Sequence, residues 1–139
     1  MEPLSRVLAL DHGERRIGVA ISDELGMIAQ PLEFISADPE QAALDRIHSL
    51  VTQRSVGMVL VGMPRNMDGS YGPAAEKVKA FVERLKPSLA VPIRLWDERL
   101  TSVQANRALR EVGVRGSKRK GRIDATAAAI LLQSYLDSR

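Results

Sequence analysis

The first third of the chain alternates short apolar runs with turns, a pattern typical of an antiparallel β-meander. Residues 7–10 form an apolar run, and after a short turn apolar residues alternate with small ones over 17–22. A third strand is expected over 27–29 and 32–35, with a break or an edge position at Pro31, because proline has no N–H to donate to a neighbouring strand. The pattern therefore predicts three strands joined by hairpin turns.

Helical and strand patterns alternate in the rest of the chain. Asp38 and Pro39 supply a helix cap and a first-turn proline, and apolar residues then recur at helical spacing. Residues 56–62 are apolar nearly throughout, as in a strand covered on both faces. The predicted elements from here on are a helix at 38–51, a strand at 56–62, a helix at 74–85, a strand at 92–97, a helix at 101–112, a mobile loop at 113–121 and a helix at 123–136.

This order of elements predicts an α/β domain. A hairpin meander followed by αβαβαα indicates a mixed five-stranded sheet flanked by helices, in which strands joined through helices pair in parallel. At 139 residues the chain is long enough for one such domain with a hydrophobic core and too short for two. We therefore expect a single domain over residues 1–139, with its functional site where strands end.

Composition excludes some classes of site and of location. The chain has no cysteine, which excludes disulfides, thiolate metal sites and a cysteine nucleophile. No segment approaches the ~20 apolar residues of a membrane span, and no signal peptide is recognisable, so we expect a cytoplasmic location and no membrane partner. The formal net charge of +3 is, by itself, weak evidence for a polyanionic partner.

Three acids occupy positions that suit a metal site. Asp11 ends the first predicted strand, Glu98 follows the last one, and Asp124 falls in the first turn of the final predicted helix. Each also has an ordinary structural interpretation, as a turn residue, a partner of Arg94 or Arg99, or a helix-terminus acid. Carboxylate oxygens are the hard ligands that Mg²⁺ and Mn²⁺ prefer, so their joint placement at element ends favours a metal site.

Positive charge is concentrated just before the last of these acids. Between residues 107 and 122 there are seven basic side chains and a single acid, Glu111. A run of charge is usually a solvated loop, but basic side chains near candidate metal ligands would attract a phosphate backbone that the carboxylates repel. The candidate nucleic-acid-binding residues of this run are Arg115, Lys118, Arg119, Lys120 and Arg122.

Four sequence motifs, in this order and spacing, resemble the YqgF/RuvX family, and together they span nearly the whole chain. The motifs are LALDHGERRIGVA at 8–20, VGMP at 61–64 with NMDG at 66–69, WDERLTS at 96–102, and IDATAAA at 123–129 with LQSYL at 132–136. The resemblance implies an RNase H-like fold and a metal-dependent nuclease. Its implied substrates are a Holliday junction or the 5′ end of pre-16S ribosomal RNA.

The resemblance also assigns roles to the three acids. Carried over by position, Asp11, Glu98 and Asp124 look like the family's acidic triad, and the implied cofactor is Mg²⁺ or Mn²⁺. Met63 stands where the family usually has leucine. The related resolvases often carry a fourth acid near the last one, and Asp137 lies too far beyond Asp124 to take its place, so one metal ion and two remain alternatives.

Four further side chains are candidates of lesser weight. Arg16 and Arg99 could clamp a phosphate or could only neutralise a neighbouring acid. His12 is either a turn residue or a neighbour of the site, while His48, inside an amphipathic helix, is expected at the surface. Aromatic residues make up only 4% of the chain, which favours recognition of backbone and shape over stacking on bases.

Two other function classes compete with the nuclease. A non-catalytic RNA-binding factor in ribosome assembly would use the same basic surface, and metal-dependent turnover separates the two. An ATP-binding half-domain is suggested by the Asp11-x-Gly13 turn between hairpin strands, but enzymes of that kind clasp ATP between two halves. The sequence does not choose between an RNA precursor and branched DNA, nor between a monomer and a homodimer, which a junction resolvase would need.

Overall fold

The computed structural model describes residues 5–66, 68–100 and 117–139, and the side chains of residues 5–66, 68–99 and 125–139. Five strands and three helices make up this part of the chain, together with two short 3₁₀ turns at Lys86–Ser88 and Glu98–Leu100. The strands and helices are β1 Arg6–His12, β2 Arg16–Ser22, β3 Ala29–Ser36, α1 Glu40–Gln53, β4 Val56–Met63, α2 Pro73–Leu85, β5 Ile93–Asp97 and α3 Ser117–Ser138.

The strands form one mixed sheet in the order β3-β2-β1-β4-β5. The three N-terminal strands pair antiparallel as a meander. After α1, β4 pairs with β1 in parallel, and after α2, β5 pairs with β4 in parallel. The mixed five-stranded α/β fold predicted from the sequence is therefore confirmed. Because β1, β4 and β5 are parallel, their carboxyl ends lie at the same edge of the sheet.

The two faces of the sheet bury different kinds of side chain. Helices α1 and α2 cover one face, which we call the α1/α2 face, and α3 covers the other, the α3 face. The core of the α1/α2 face is built mainly of large side chains, among them Leu8, Leu10, Ile17, Ile47, Leu50 and Phe81. The core of the α3 face contains several alanines beside its larger residues, among them Ala9, Ala20, Leu60, Ala127, Ala128 and Leu131.

Two prolines show one local prediction that the structure confirms and one that it contradicts. Pro31 lies within the edge strand β3, and the register with β2 shifts at this point, as expected for a residue that cannot donate to a ladder. The predicted cap at Asp38 is wrong. Pro39 is the N-cap residue of α1, no side chain caps that helix, and the carbonyl of Asp38 instead accepts a hydrogen bond from the Ser36 hydroxyl at 2.9 Å.

The final helix differs most from its prediction. Within the described residues α3 spans Ser117–Ser138, so residues 117–121, predicted as part of a mobile loop, are helical. Lysine and arginine are good helix formers, and one internal glycine, Gly121, costs only about 1 kcal/mol. Asp124 is consequently in the second turn or later, not the first. The predicted helix at 101–112 and the rest of the predicted loop lie outside the described residues.

Within the part of the chain that the structure describes, no helix is long and apolar enough to cross a bilayer. The 22 residues of α3 would suffice in length, but its N-terminal half carries several charged residues.

Candidate functional site

Asp11 and Glu98 come together through the topology of the sheet. Asp11 is the penultimate residue of β1, and Glu98 directly follows β5, with β4 between the two strands. The registers Leu10↔Val61 and Gly62↔Trp96 place both acids at the level of the last residues of β4. Because neighbouring strands are about 4.8 Å apart, the two backbones are roughly 10 Å apart, a span that two inward-pointing carboxylates and a shared ion can bridge.

Both carboxylates are buried on the α3 face. Asp11 is 1% exposed and Glu98 is fully buried. Side chains alternate along a strand, so Asp11 is on the same face as Ala9, which packs under α3. Two like charges withdrawn from water repel each other and lose hydration, and a divalent cation between them would offset both effects. The donor set, hard carboxylate oxygens, fits Mg²⁺ or Mn²⁺.

Gly62 makes room for one of these carboxylates. A Cβ atom built on Gly62 would lie 2.7 Å from Oε1 and 3.2 Å from Cγ of Glu98, and 3.0 Å from Cδ2 of Leu131. Carbon and oxygen atoms do not approach this closely without a shift of one or the other. The Glu98 side chain therefore lies across the backbone of β4 in space that any other residue at position 62 would occupy.

The backbone of Asp124 lies in α3, and its side chain lies outside the described residues. Position 124 is four residues before Ala128 and seven before Leu131, which are both fully buried. Such residues share one side of a helix, so this backbone position is on the side of α3 that faces the sheet. No group of three metal-binding side chains occurs among those described, and the third acid of the triad stays a prediction.

Asp97, next to Glu98, organises the end of β5. Its carboxylate accepts hydrogen bonds from the backbone N–H of Arg99 at 2.9 Å and from the Arg99 guanidinium at 2.9 Å, and Arg65 bonds to it at 3.3 Å. Hydrogen bonding to Arg99 holds the pKa of Asp97 below its usual range and raises the pKa of the Arg99 guanidinium. Arg99 is therefore paired with a neighbouring acid in the structure, and its predicted contact with a phosphate stays a prediction.

Sequence reasoning missed the part played by Asp97 and Arg65. Arg65 also donates to the carbonyl of Gly69 at 2.9 and 2.5 Å, which fastens the loop after β4 to the end of β5. The two residues are 32 positions apart, so no local pattern links them. Only the strand order brings them together, next to the predicted metal ligand Glu98.

The predicted nucleic-acid-binding residues divide into a described and an undescribed group. Arg16 begins β2 at the same edge of the sheet as Asp11, with its guanidinium 5.6 Å from the centre of the Phe34 ring. The backbone of residues 118–122 forms the first turns of α3. The side chains of Lys118, Arg119, Lys120 and Arg122, and the whole of Arg115, lie outside the described residues.

Neither histidine is on the α3 face. His12 follows Asp11, so its side chain is on the opposite face, where its ring centre is 4.5 Å from that of Phe81 in α2. His48 is exposed on α1, and its Nδ1 is 2.7 Å from the carbonyl oxygen of Ser88. The surface position expected for His48 is confirmed, and His12 is separated from the two buried acids by the sheet itself.

The chain is similar in sequence to proteins that are named as nucleases. The chain is 51% identical over 132 residues to a protein of Halothermothrix orenii named "Putative pre-16S rRNA nuclease", covering 95% of this chain and 94% of that one. A protein of the same name from Chloroflexus aurantiacus is 50% identical over 133 residues, covering 96% and 87%.

Solved structures of resolvases share the fold at low sequence identity. The RuvC protein of T. thermophilus in complex with a Holliday junction substrate superposes with a TM-score of 0.56 at 19% identity, over 97% of this chain and 95% of that one. The fowlpox virus resolvase with its junction DNA gives 0.53 at 12% identity, over 96% and 97%. Residues 5–138 match the family described as "RuvX: Holliday junction resolvase". The chain therefore belongs to the RuvX family of nucleases and has the RNase H-like fold of the resolvases.

Proposed function

We propose that this protein hydrolyses phosphodiester bonds in structured nucleic acid with the help of a divalent cation, Mg²⁺ or Mn²⁺. The observation that carries the proposal is the burial of Asp11 and Glu98 on one face and at one edge of the sheet. Removing two carboxylates from water costs hydration free energy, and a divalent cation bound by both would restore part of it. A cation-binding role accounts for them.

Asp11, Glu98 and Asp124 would hold the cation. When bound, the cation would activate a water molecule and stabilise the charge that develops on the leaving oxygen. Asp11 lies in the central strand β1, and Glu98 is held at the end of β5 as the first residue of a 3₁₀ turn. The position of Asp124 on the sheet-facing side of α3 supports it as the third ligand. Carboxylates on rigid elements need little reorganisation to bind a metal ion.

The substrate would be held through its phosphates. Arg16 is at the same edge of the sheet as Asp11, and the basic residues that begin α3 precede Asp124 in the same helix. Cations in these places would offset the repulsion between the substrate and the acids. The names of the sequence relatives support pre-16S ribosomal RNA as a substrate, which implies action in the cytoplasm, and the family description supports a Holliday junction. Within that RNA, we propose the 5′ end as the site of cleavage.

A side-by-side cleavage assay tests the proposal. The parent protein, Asp11→Asn and a control variant, Asp45→Asn at an exposed position of α1, are each given a four-way DNA junction and a ribosomal RNA precursor, with Mg²⁺, with Mn²⁺ and with EDTA. We expect the parent and the control to cut at least one substrate only with metal. Asp11→Asn should lose about three orders of magnitude in rate, the scale of lost electrostatic stabilisation, and should keep substrate binding.

The same assay separates the nuclease from its alternatives. Tight RNA binding by the parent without cleavage under any metal condition would favour a non-catalytic assembly factor. Equal cleavage by the parent and Asp11→Asn would exclude Asp11 as a metal ligand. A symmetric dimer, measured by light scattering on the junction complex, is expected only if the junction is the better substrate, since two strands must then be cut together.

A further inference from the structure

The backbone of β4 under Glu98 is closely packed on the α3 face. A Cβ on Gly62 would be 2.7 Å from Glu98 Oε1, and the Glu98 side chain is fully buried there. Gly62 is also one residue beyond the pair Leu10↔Val61, so it lies beside Asp11 on the neighbouring strand. A single glycine thus separates the two buried acids.

We propose that Gly62 is a positioning residue of the metal site, because the absence of a side chain at this position is what lets the Glu98 carboxylate lie over β4 towards Asp11. This inference rests on the proposed metal-binding role of the two acids. Any Cβ at position 62 would push the carboxylate away from the gap between the two strands. Gly62 would touch neither metal nor substrate and would act through Glu98 alone.

Helix packing is the competing explanation for this glycine. The same Cβ would be 3.0 Å from Leu131 Cδ2, so Gly62 could serve only to bring α3 close to the sheet. The two explanations predict different effects of shortening Leu131 in a Gly62→Ala variant. If packing is the whole reason, shortening Leu131 restores a Gly62→Ala variant completely. If Glu98 must be positioned, shortening Leu131 restores stability and leaves the metal site impaired.

The chain offers a matched control on the same strand. Gly57 lies at the other end of β4, where an added Cβ would clash with Ser5 Cβ and would be far from both acids. A Gly57→Ala variant therefore introduces the same atom into the same strand with a close contact of its own. Gly57→Ala therefore measures how an added Cβ in β4 changes stability and Mn²⁺ affinity when the Glu98 side chain is not displaced.

The experiment measures Mn²⁺ affinity by calorimetric titration of each purified full-length protein, with Asp11→Asn as the blank. Gly62→Ala should bind Mn²⁺ about 10- to 100-fold more weakly, the effect of losing a residue that orients a metal ligand. The Mn²⁺ affinities of Gly57→Ala and Leu131→Ala should stay within about threefold of the parent affinity, since neither variant changes a residue that orients a metal ligand. The double variant Gly62→Ala with Leu131→Ala should remain weak, and it carries the test if Gly62→Ala alone does not fold.

Shortening the acid gives a second, independent readout. Glu98→Asp removes one methylene from the side chain that meets the new Cβ, so the loss in Mn²⁺ affinity caused by Glu98→Asp should be smaller in the Gly62→Ala background than in the parent. The fluorescence of Trp96, the one tryptophan of the chain, two residues before Glu98, monitors the fold of each variant.

The outcomes distinguish a failure of the metal site from a failure of the positioning role of Gly62. Parent-like Mn²⁺ binding by Asp11→Asn would overturn the metal site itself. Loss of binding in Asp11→Asn together with parent-like binding in Gly62→Ala, or full rescue by Leu131→Ala, would overturn the positioning role and leave the metal site standing.

Discussion

The two faces of the sheet differ in the size and polarity of the side chains that they bury. The α1/α2 face packs large aliphatic and aromatic side chains such as Leu50, and the polar groups around it are at the surface. The α3 face packs small side chains such as Ala127 and Ala128, and it is there that Asp11 and Glu98 are buried. One face contributes mostly apolar burial, while the other gives up part of that burial to hold two carboxyl side chains in a close-packed place.

The difference shows why the α3 face is sensitive to small changes. Alanine allows α3 to approach the sheet closely, and Gly62 leaves the backbone of β4 open beneath Glu98. A helix this close to a strand cannot absorb added volume without moving. The α1/α2 face carries no part of the proposed site, so its defects should reduce the stability of the protein and leave the chemistry of the folded molecules unchanged.

The largest loss of stability is expected on the α1/α2 face. Leu50→Ala removes a fully buried side chain of α1 and should lower the free energy of unfolding by about 2–5 kcal/mol, through lost burial and a cavity. Urea denaturation measures the loss, and Leu50→Met, which conserves volume, should cost less than about 1.5 kcal/mol. Cleavage and Mn²⁺ affinity per folded molecule should equal those of the parent. A weaker metal site in Leu50→Ala would show that the two faces are coupled.

The fold on which this comparison rests was largely predictable from the sequence. Alternating and continuous apolar runs identified all five strands, because successive side chains of a strand point to opposite faces of the sheet and the spacing of apolar residues therefore shows which faces are buried. The helical state of residues 117–121 in α3 was not predictable in the same way. Residues 117–121 are basic and include Gly121, a composition equally typical of a loop, and helix propensity is too weak a signal to decide.

The candidate site was predictable in its acids and not in its supporting residues. Asp11 and Glu98 stand at element ends, a position visible in the sequence, and the family motifs mark them. Nothing local indicates that Arg65 bonds to Asp97, since the contact depends on the strand order. Gly62 ends an apolar run like many strand glycines, and its role is visible only when the Glu98 side chain is seen to cross it.

A matched pair of alanines sharpens the comparison at a smaller scale. Ala128 on α3 and Ala43 on α1 are both fully buried, one on each face. Replacing either by leucine overpacks the core and should cost about 1–3 kcal/mol of stability. Only Ala128→Leu should also weaken Mn²⁺ binding, because it moves α3 and with it Asp124, one turn earlier. Equal metal affinity in the two variants, measured by calorimetry, would argue against a ligand on α3.

The smallest effect is expected at His12, which the sequence places beside Asp11 and the structure places on the α1/α2 face. Loss of its ring contact with Phe81 in His12→Ala should lower the stability by about 0.5–1.5 kcal/mol. Since the sheet separates His12 from the buried acids, we expect an unchanged rate of cleavage and an unchanged pH profile between about pH 5 and 8, the range in which an ordinary histidine titrates.

The pH profile is the decisive readout for His12, because a general acid or base and a packing residue differ there even when both lower the rate. A general base would leave an acid limb in the parent profile that disappears in His12→Ala, and His12→Gln, which keeps most of the volume but cannot be protonated, would lose the limb as well. A packing residue predicts that both variants retain the parent profile and differ from it only in stability. Loss of the limb in both would mean that the sheet does not isolate the α1/α2 face from the chemistry, and the separation of roles between the two faces would fail at the residue next to Asp11.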